Sequence, residues 1–329
     1  LLADQTKSHG AHVDARADAD HPDRIRQALD DEAGPARSAI AASWRRSMTV
    51  HGLAPEDGGR ARTVTAERLR EARQAMEPLT LAAQPVLDRL FLAVGDTGCC
   101  VLLTDAQGIA VDRRGAPVDD ETFHSWGLWP GADWSEAAEG TNGIGTALAE
   151  HRPVTIHRDQ HFHTRNTALS CTTHPIHDHL GRLAGALDVS SARADATAIM
   201  LGLISNAVGD AARAIETQAF RQAFAEARIV LAGDGAERSA ALLAVDRDDL
   251  VIGATRAARQ ALKITDALIA AQLPASDLLG RVHAADLLEA ERGAVRRALA
   301  RTGGNVSAAA RALGVSRATM HRKMNRLGL

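Results

Sequence analysis

Cysteine is scarce in this chain: Cys99, Cys100 and Cys171 are the whole set in 329 residues. The count is odd, no C-x-x-C spacing occurs, and vicinal cysteines such as Cys99 and Cys100 rarely pair. A disulfide framework is therefore excluded, and the usage fits a reducing cytoplasm. Lysine is equally sparse, with only Lys7, Lys263 and Lys323. None of them closes a G-x-x-x-x-G-K-[ST] loop, whose lysine has to reach nucleotide phosphates, so ATP hydrolysis of the P-loop type is excluded. The opening "LLADQTKSHGAHVDARADAD" has no basic stretch followed by an apolar core, so no signal peptide is read. No apolar run approaches the ~20 residues that a membrane helix requires, which argues against a membrane partner.

What is present is a polarised charge distribution. The net charge is −3, with 45% hydrophobic residues, enough for two or three domains with real cores. From Glu289 onward nine Arg and Lys stand against Glu289 and Glu291, a net of +7 on a body that carries −10. A basic terminus on an acidic body points to a nucleic-acid module.

Periodicity gives an α+β organisation. Residues 1–20 are polar and read as disordered, and residues 21–84 read as a helical region broken at Pro55 and Gly58-Gly59. Leu87, Leu90, Phe91 and Val94 fall on one face of a helix. Within residues 85–195, "CCVLLTD", "IAVDR", "VTIH", "LSCTTHPI" and "LAGALDVSS" read as strands, the last two joined by the turn "HDHLGR". "WSEAAEGTNGIGTALAEHRP" reads as a helical stretch with capping chemistry at Ser135, ending before Pro153. Residues 196–221 form a helix in which Leu201, Ile204, Val208, Ala211 and Ile215 step by three and four. That spacing suits either packing on the chain's own sheet or a dimer seam. Residues 222–280 read as strand, acidic turn, strand and helix, ending in the linker "LPASDLLGRV".

Residues 281–329 carry the clearest motif. A helix with Val295 and Leu299 on one face ends at "TGGN". Asn305 caps a short Ala-rich helix, Gly314 makes a turn that needs positive φ, and Ser316 caps a basic helix with Met320, Met324 and Leu327 facing inward. This is a helix-turn-helix, and Arg317 at the start of its last helix suits bidentate reading of guanine. The tail resembles the Fis-type DNA-binding domain. The resemblance implies that Asn305 and Ser307 hold phosphates, that Ser316, Arg317 and His321 face bases, and that Thr319, Arg322 and Lys323 hold phosphates. It also implies a homodimer on double-stranded promoter DNA, with half-sites roughly 34 Å apart.

The stretches "SWRRS", "WSEAAEGTNGIGTALAEHRPVTIHRDQHF" and "LSCTTHPIHDHLGRLAGALDVSS" resemble the sensory GAF domain of acetoin-catabolism-type regulators. The resemblance implies a six-stranded antiparallel sheet with flanking helices and a small-molecule pocket on one face. Residues 240–264 are similar to part of a PAS domain, in a degenerate form. The full-length regulators of this type carry an ATPase domain, which the lysine pattern rules out here. In domain order the chain is similar to the GafA type of gene-transfer-agent activators. The expected function is a cytoplasmic, nucleoid-associated transcription activator that contacts RNA polymerase, responds to a small-molecule effector or partner, and needs no cofactor.

Two features invite enzymatic readings. "GTNGIG" has G-x-x-G-x-G spacing, the reverse of the dinucleotide fingerprint, and reads as a tight turn that starts a helix. His161, His163, Cys171 and His174 could form the ligand set of a metal-dependent enzyme. The competing expectation assigns no metal, places His177 and His179 in a solvated turn, and leaves Cys171 and His174 as walls of a sensory pocket. A third reading is a ligand-free interaction module.

Overall fold

In β1 (Cys99–Asp105) every residue is buried, so this strand has covering layers on both faces. It is the second strand of a five-stranded antiparallel sheet ordered β2-β1-β5-β4-β3, with β2 at Ala110–Arg114, β3 at Val154–His157, β4 at Ser170–His177 and β5 at Leu183–Ser191. The computed structural model describes residues 15–30, 38–95, 98–193, 197–232, 241–279 and 287–329. The expected disorder of residues 1–14 lies outside the described residues. Residues 15–20, also expected to be disordered, belong to α1 (Ala15–Asp30). Among the described residues the sheet has five strands, where the resemblance implied six.

Register fixes the two faces. Cys171 pairs with Ser190, Thr173 with Asp188, and His174 with Leu187. Paired residues share a face and neighbours along a strand alternate, so Cys171, Thr173, Asp188 and Ser190 point one way while His174 and Ile176 point the other. The second face is covered by α3 (Ala66–Val94) and α7 (Ala198–Ala223), following α2 (Ala39–Thr49) and α4 to α6 in chain order. Helix α3 runs through Pro78 and Pro85. Each proline lacks the N–H its turn would use, yet Leu79, Ala82, Val86, Leu87 and Leu90 are buried and anchor both sides.

Helix α7 decides between the two sequence alternatives. Leu201, Ile204, Val208, Ala211 and Ile215 are all buried, and the last four belong to the core beneath the chain's own sheet. The three-four stripe is therefore domain packing and not an open seam. By length and composition α7 could cross a membrane, with a mean hydropathy of 1.3, but its apolar stripe is the sheet's cover.

The first face is closed by α4 (Asp120–Ser125), α5 (Glu136–Glu139), α6 (Gly143–Glu150) and the loops between them. Phe123, Leu128, Trp134, Ile144 and Leu169 fill it. The stretch from Ser135 is two helices, not one. Gly140 turns the chain at φ 61, and the side chain of Asn142 accepts from the Gly145 N–H at 2.9 Å, whereas Ser135 makes no side-chain cap bond. "GTNGIG" is thus the start of α6.

Beyond α7 lies a three-stranded antiparallel sheet of β6 (Arg228–Leu231), β7 (Leu242–Val245) and β8 (Val251–Ala254), followed by α8 (Arg256–Leu262) and α9 (Asp266–Ala270). Phe220 on α7 is fully buried against Leu242 and Ala244. Gly253 leaves room for the Phe224 ring, 2.3 Å from where a Cβ would stand. The chain divides into two compact units, residues 1–271 and 272–329. The second contains α10 (Ala275–Leu278), within the stretch read as a linker, then α11 (Leu287–Arg301), α12 (Val306–Ala312) and α13 (Arg317–Leu327).

Phe220→Ala removes the ring that joins α7 to the small sheet. Large-to-small changes of this kind cost about 3–5 kcal/mol. Urea unfolding should show a loss of that order, and a loss below about 1 kcal/mol would speak against this packing.

Candidate nucleic-acid interface and sensory core

The basic tail builds its exposed face from the inside outward. Val295, Ala298, Ala309, Ala310, Met320 and Leu327 form the buried core, with Leu299, Val306, Val315 and Met324 packed around it. The alanines of α12 let it sit close to α13. Gly303, Gly304 and Gly314 all adopt positive φ, and Gly314, at φ 66, makes the turn between α12 and α13. Asn305 accepts from the Ala308 N–H at 3.0 Å, and Ser316 accepts from the Thr319 N–H at 3.1 Å. Both caps match the sequence reading.

With Met320 and Leu327 turned inward, the opposite side of α13 presents Arg317, Ala318, His321, Arg322 and Asn325, all exposed. Ser316 and Asn305 are exposed beside them, and Ser307 and Thr319 are half-buried. Ala318 and Asn325 escaped the sequence reading. The 100° step of a helix places them between Arg317, His321 and Arg322, a signal that was available. Lys323 behaves differently from expectation. Its ammonium and the Arg326 guanidinium both pair with Glu291 of α11, and the Glu291 carboxylate is held below its ordinary pKa, chiefly by Lys323. Lys323 thus serves the packing of α13 on α11.

The second candidate site, on the first face of the sheet, is closed. Thr173 Oγ1 donates to Asp188 Oδ1, and Ser190 Oγ lies 2.6 Å from Asp188 Oδ2 and 3.1 Å from Cys171 Sγ. Cys171 Sγ in turn lies 3.4 Å from His161 Nε2. The other ring nitrogen, Nδ1, is 2.9 Å from the Arg158 carbonyl, so it is the donor and Nε2 the acceptor. This is an unbroken buried chain from Asp188 to His161. Burial raises Asp188 to about 6 and lowers His161 to about 4. Burial and the nearby Asp188 charge push the Cys100 and Cys171 thiols well up. An un-ionised thiol is a poor nucleophile, and an imidazole held at about 4 is a weak base, so the chain is structural.

Of the sequence candidates, only His161 and Cys171 are brought together. His163 is buried edge-on against Phe162, with ring centroids 5.3 Å apart, and desolvation holds it at about 4. His174 stands on the other face of β4 from Cys171, because three positions along a strand reverse the side. The two cannot share a pocket wall. Among the described residues no group of three or more His, Cys, Asp or Glu could hold a metal ion. The solvated turn was also misplaced: His177 ends β4, is 6% exposed, and binds Glu216 at 2.8 Å, while His179 packs on Phe224.

The "SWRRS" stretch has a specific task. Ser43 on α2 bonds Glu136, Thr141 and Thr146; Arg46 binds Glu136 and Glu150; and the Trp44 indole donates to the Gln160 carbonyl at 2.9 Å. His21 of α1, 2% exposed, reaches the carbonyls of Asp159 and His161. The N-terminal helices are therefore clamped over the first face.

Comparison with known proteins matches both parts. A family model described as the MimR N-terminal domain matches residues 22–213, and one described as a bacterial regulatory protein of the Fis family matches residues 286–327. The chain is 39% identical over 152 residues to the acetoin catabolism regulatory protein of Cupriavidus necator, covering 46% of this chain and 23% of that protein. It is 31% identical over 172 residues to the propane 2-monooxygenase operon transcriptional activator MimR of Mycolicibacterium smegmatis, covering 52% and 28%. The chain thus spans about a quarter of the length of these curated relatives. The structure of the E. coli DhaR(N)–DhaL complex is similar in fold, with a TM-score of 0.51 and 16% identity over 73% of this chain and 80% of that one.

Asp188 supplies a pH test. Its carboxyl is still protonated in the fold at pH values where the unfolded chain has ionised. Its stabilising contribution is therefore full below about pH 4 and lost as pH rises to 6, worth about 3 kcal/mol. His161 and His163 act with the opposite sign in the same window, so the variant is compared with the parent. Asp188→Asn should gain about 3 kcal/mol over the parent between about pH 4 and pH 7 in urea unfolding. A difference that does not change with pH would contradict a buried, protonated carboxyl.

Proposed function

The chain belongs to the family defined by the MimR N-terminal domain, and from that premise we propose that it is a DNA-binding transcription regulator, acting as an activator. The observation that carries the reading is α13: a capped basic helix with Arg317, Ala318, His321, Arg322 and Asn325 exposed along one side, inside a Fis-family match. Arg317, at the helix start, would read guanine through its two-donor edge, and His321 would face the neighbouring base. Ala318 is suited to a thymine methyl, and Asn325 to an adenine edge. Asn305, Ser307, Thr319 and Arg322 would hold phosphates.

The same reading divides the work along the chain. Residues 21–221 form the sensory part, 222–280 a degenerate PAS-like segment, and 281–329 the DNA-binding domain. The protein would act in the bacterial cytoplasm as a homodimer on promoter DNA, on the nucleoid when bound, and would recruit RNA polymerase without ATP. The two relatives described above are regulators by name, which favours this class over the metal-enzyme alternative.

The test uses DNA sites selected from random sequence by the purified chain. Arg317→Ala should abolish specific binding in a mobility-shift assay, and unchanged affinity and specificity would remove Arg317 from the recognition face. Salt titration gives a second test. Arg322→Ala should reduce the slope of log K against log salt by about one, the loss of a single phosphate contact. Lys323→Ala should leave that slope unchanged, because Lys323 is engaged with Glu291. Equal slopes for the two variants would overturn the division of roles.

A further inference from the structure

On the second face of the sheet, β4, α7 and α8 line a cleft of about 230 Å³ that the DNA-binding reading leaves without a role. His174 faces it from β4, and so does His177, because a bulge between Ile176 and His177 breaks the alternation of the strand; Gly209, Arg213 and Glu216 face it from α7, Arg256 from α8, and Arg152 from the loop after α6. Three arginines thus stand against one carboxylate.

That carboxylate is already committed. Glu216 Oε1 accepts both the backbone N–H of His177 and its Nδ1–H, each at 2.8 Å. The Nε2 of His177 is then free to accept from Arg256, whose guanidinium it touches. A neutral imidazole so links Glu216 to Arg256, and the two charges balance. Among the described residues Arg213 pairs with Asp210, whose side chain is 75% exposed, and Arg152 reaches Glu150 at 3.7 Å from the surface. Exposed pairs of this kind neutralise little, so the wall keeps a positive surplus.

His174 adds a directional group. Its Nε2 is buried and has no hydrogen-bond partner. The Ser205 carbonyl takes the other ring N–H, so Nε2 offers a lone pair. Burial, then Arg213, lowers the pKa of this ring and keeps it neutral. The ring fits because position 209 is glycine: a Cβ there would stand 2.7 Å from His174 Cε1. A buried acceptor without a donor is costly and calls for an explanation.

The geometry points to a binding site for a compact organic anion that also carries a hydroxyl, its anionic group on Arg213 and Arg256 and its hydroxyl donating to His174 Nε2. Guanidinium groups accept a carboxylate or a phosphate ester alike. The cleft corresponds to about eight water volumes, which limits the ligand to roughly ten heavy atoms. Because β4 belongs to the large sheet and α8 follows the small one, an occupant would tie the two together. That consequence rests on the sensory reading above; the binding itself does not.

The experiment uses the full chain with four probes: glycerate, glycerol 3-phosphate, propionate, which lacks the hydroxyl, and glycerol, which lacks the charge. Calorimetry and thermal melting should show glycerate or glycerol 3-phosphate binding about tenfold more tightly than propionate or glycerol, and which of the two binds identifies the anionic group. Arg213→Gln, at a half-exposed position, and His174→Phe should each weaken that binding about tenfold or more. No binding by either hydroxylated anion at roughly 10 mM overturns the site, and so does binding that survives both variants. Propionate binding as well as glycerate would overturn the role of His174. DNA affinity is read separately by fluorescence anisotropy: a probe that binds without altering it leaves the site standing and removes only its regulatory consequence.

Discussion

Strand β4 is covered on both faces, and the two-residue alternation of its side chains governs what each face can become. Cys171 and Thr173 join Asp188 and Ser190 in a closed polar chain, while His174 and Ile176 lie under α7. One strand therefore contributes to two chemically distinct environments. The first is sealed by Trp134, Phe123 and Leu128, and its burial disfavours the charged form of each titratable group there. The second opens at one end into an arginine-lined cleft, because Gly209 and the end of β4 leave space there.

The same economy of contacts explains the N-terminal helices. Sequence patterning separates residues 21–84 from the sheet, yet α1 and α2 hold the loops above the first face through His21, Ser43 and Arg46. Each of these is a hydrogen-bonding or charged residue reaching across a large sequence separation, which is why periodicity does not reveal it. At the other end of the first unit, Phe220 and Phe224 fasten the small sheet to α7. The hairpin turn after β4 lies against α8, with Gly181 close to Arg259 and Arg256. The cleft thus sits where the two sheets of the first unit meet.

The fold was legible where local chemistry decides it. The five strands of the large sheet, the strands β7 and β8, the two helix caps at Asn305 and Ser316, and the glycine turn at Gly314 follow from propensity and capping, whereas β6, with no residue fully buried, was missed. The exposed side of α13 was legible only in part, since Ala318 and Asn325 are chemically quiet and were passed over. The surroundings of the histidine-rich stretch were not legible. The histidine-rich stretch looked like a ligand set because residue types cluster in sequence, and a strand places odd and even positions in different surroundings. Lys323 failed for a similar reason: a basic residue on a basic helix carries no mark of the acidic partner on α11 that it meets.

By itself the sequence determined the α+β class, the helix-turn-helix and its polarity of charge, and the lack of a P-loop, because each depends on residues within a few positions of one another. Tertiary structure alone decided that the α7 stripe packs inward, that Cys171 and His174 part company, and that His174, His177, Arg213 and Arg256 come together around one cleft. Those outcomes depend on register between strands and on which helix covers which face, and both are set by packing between residues far apart in the chain.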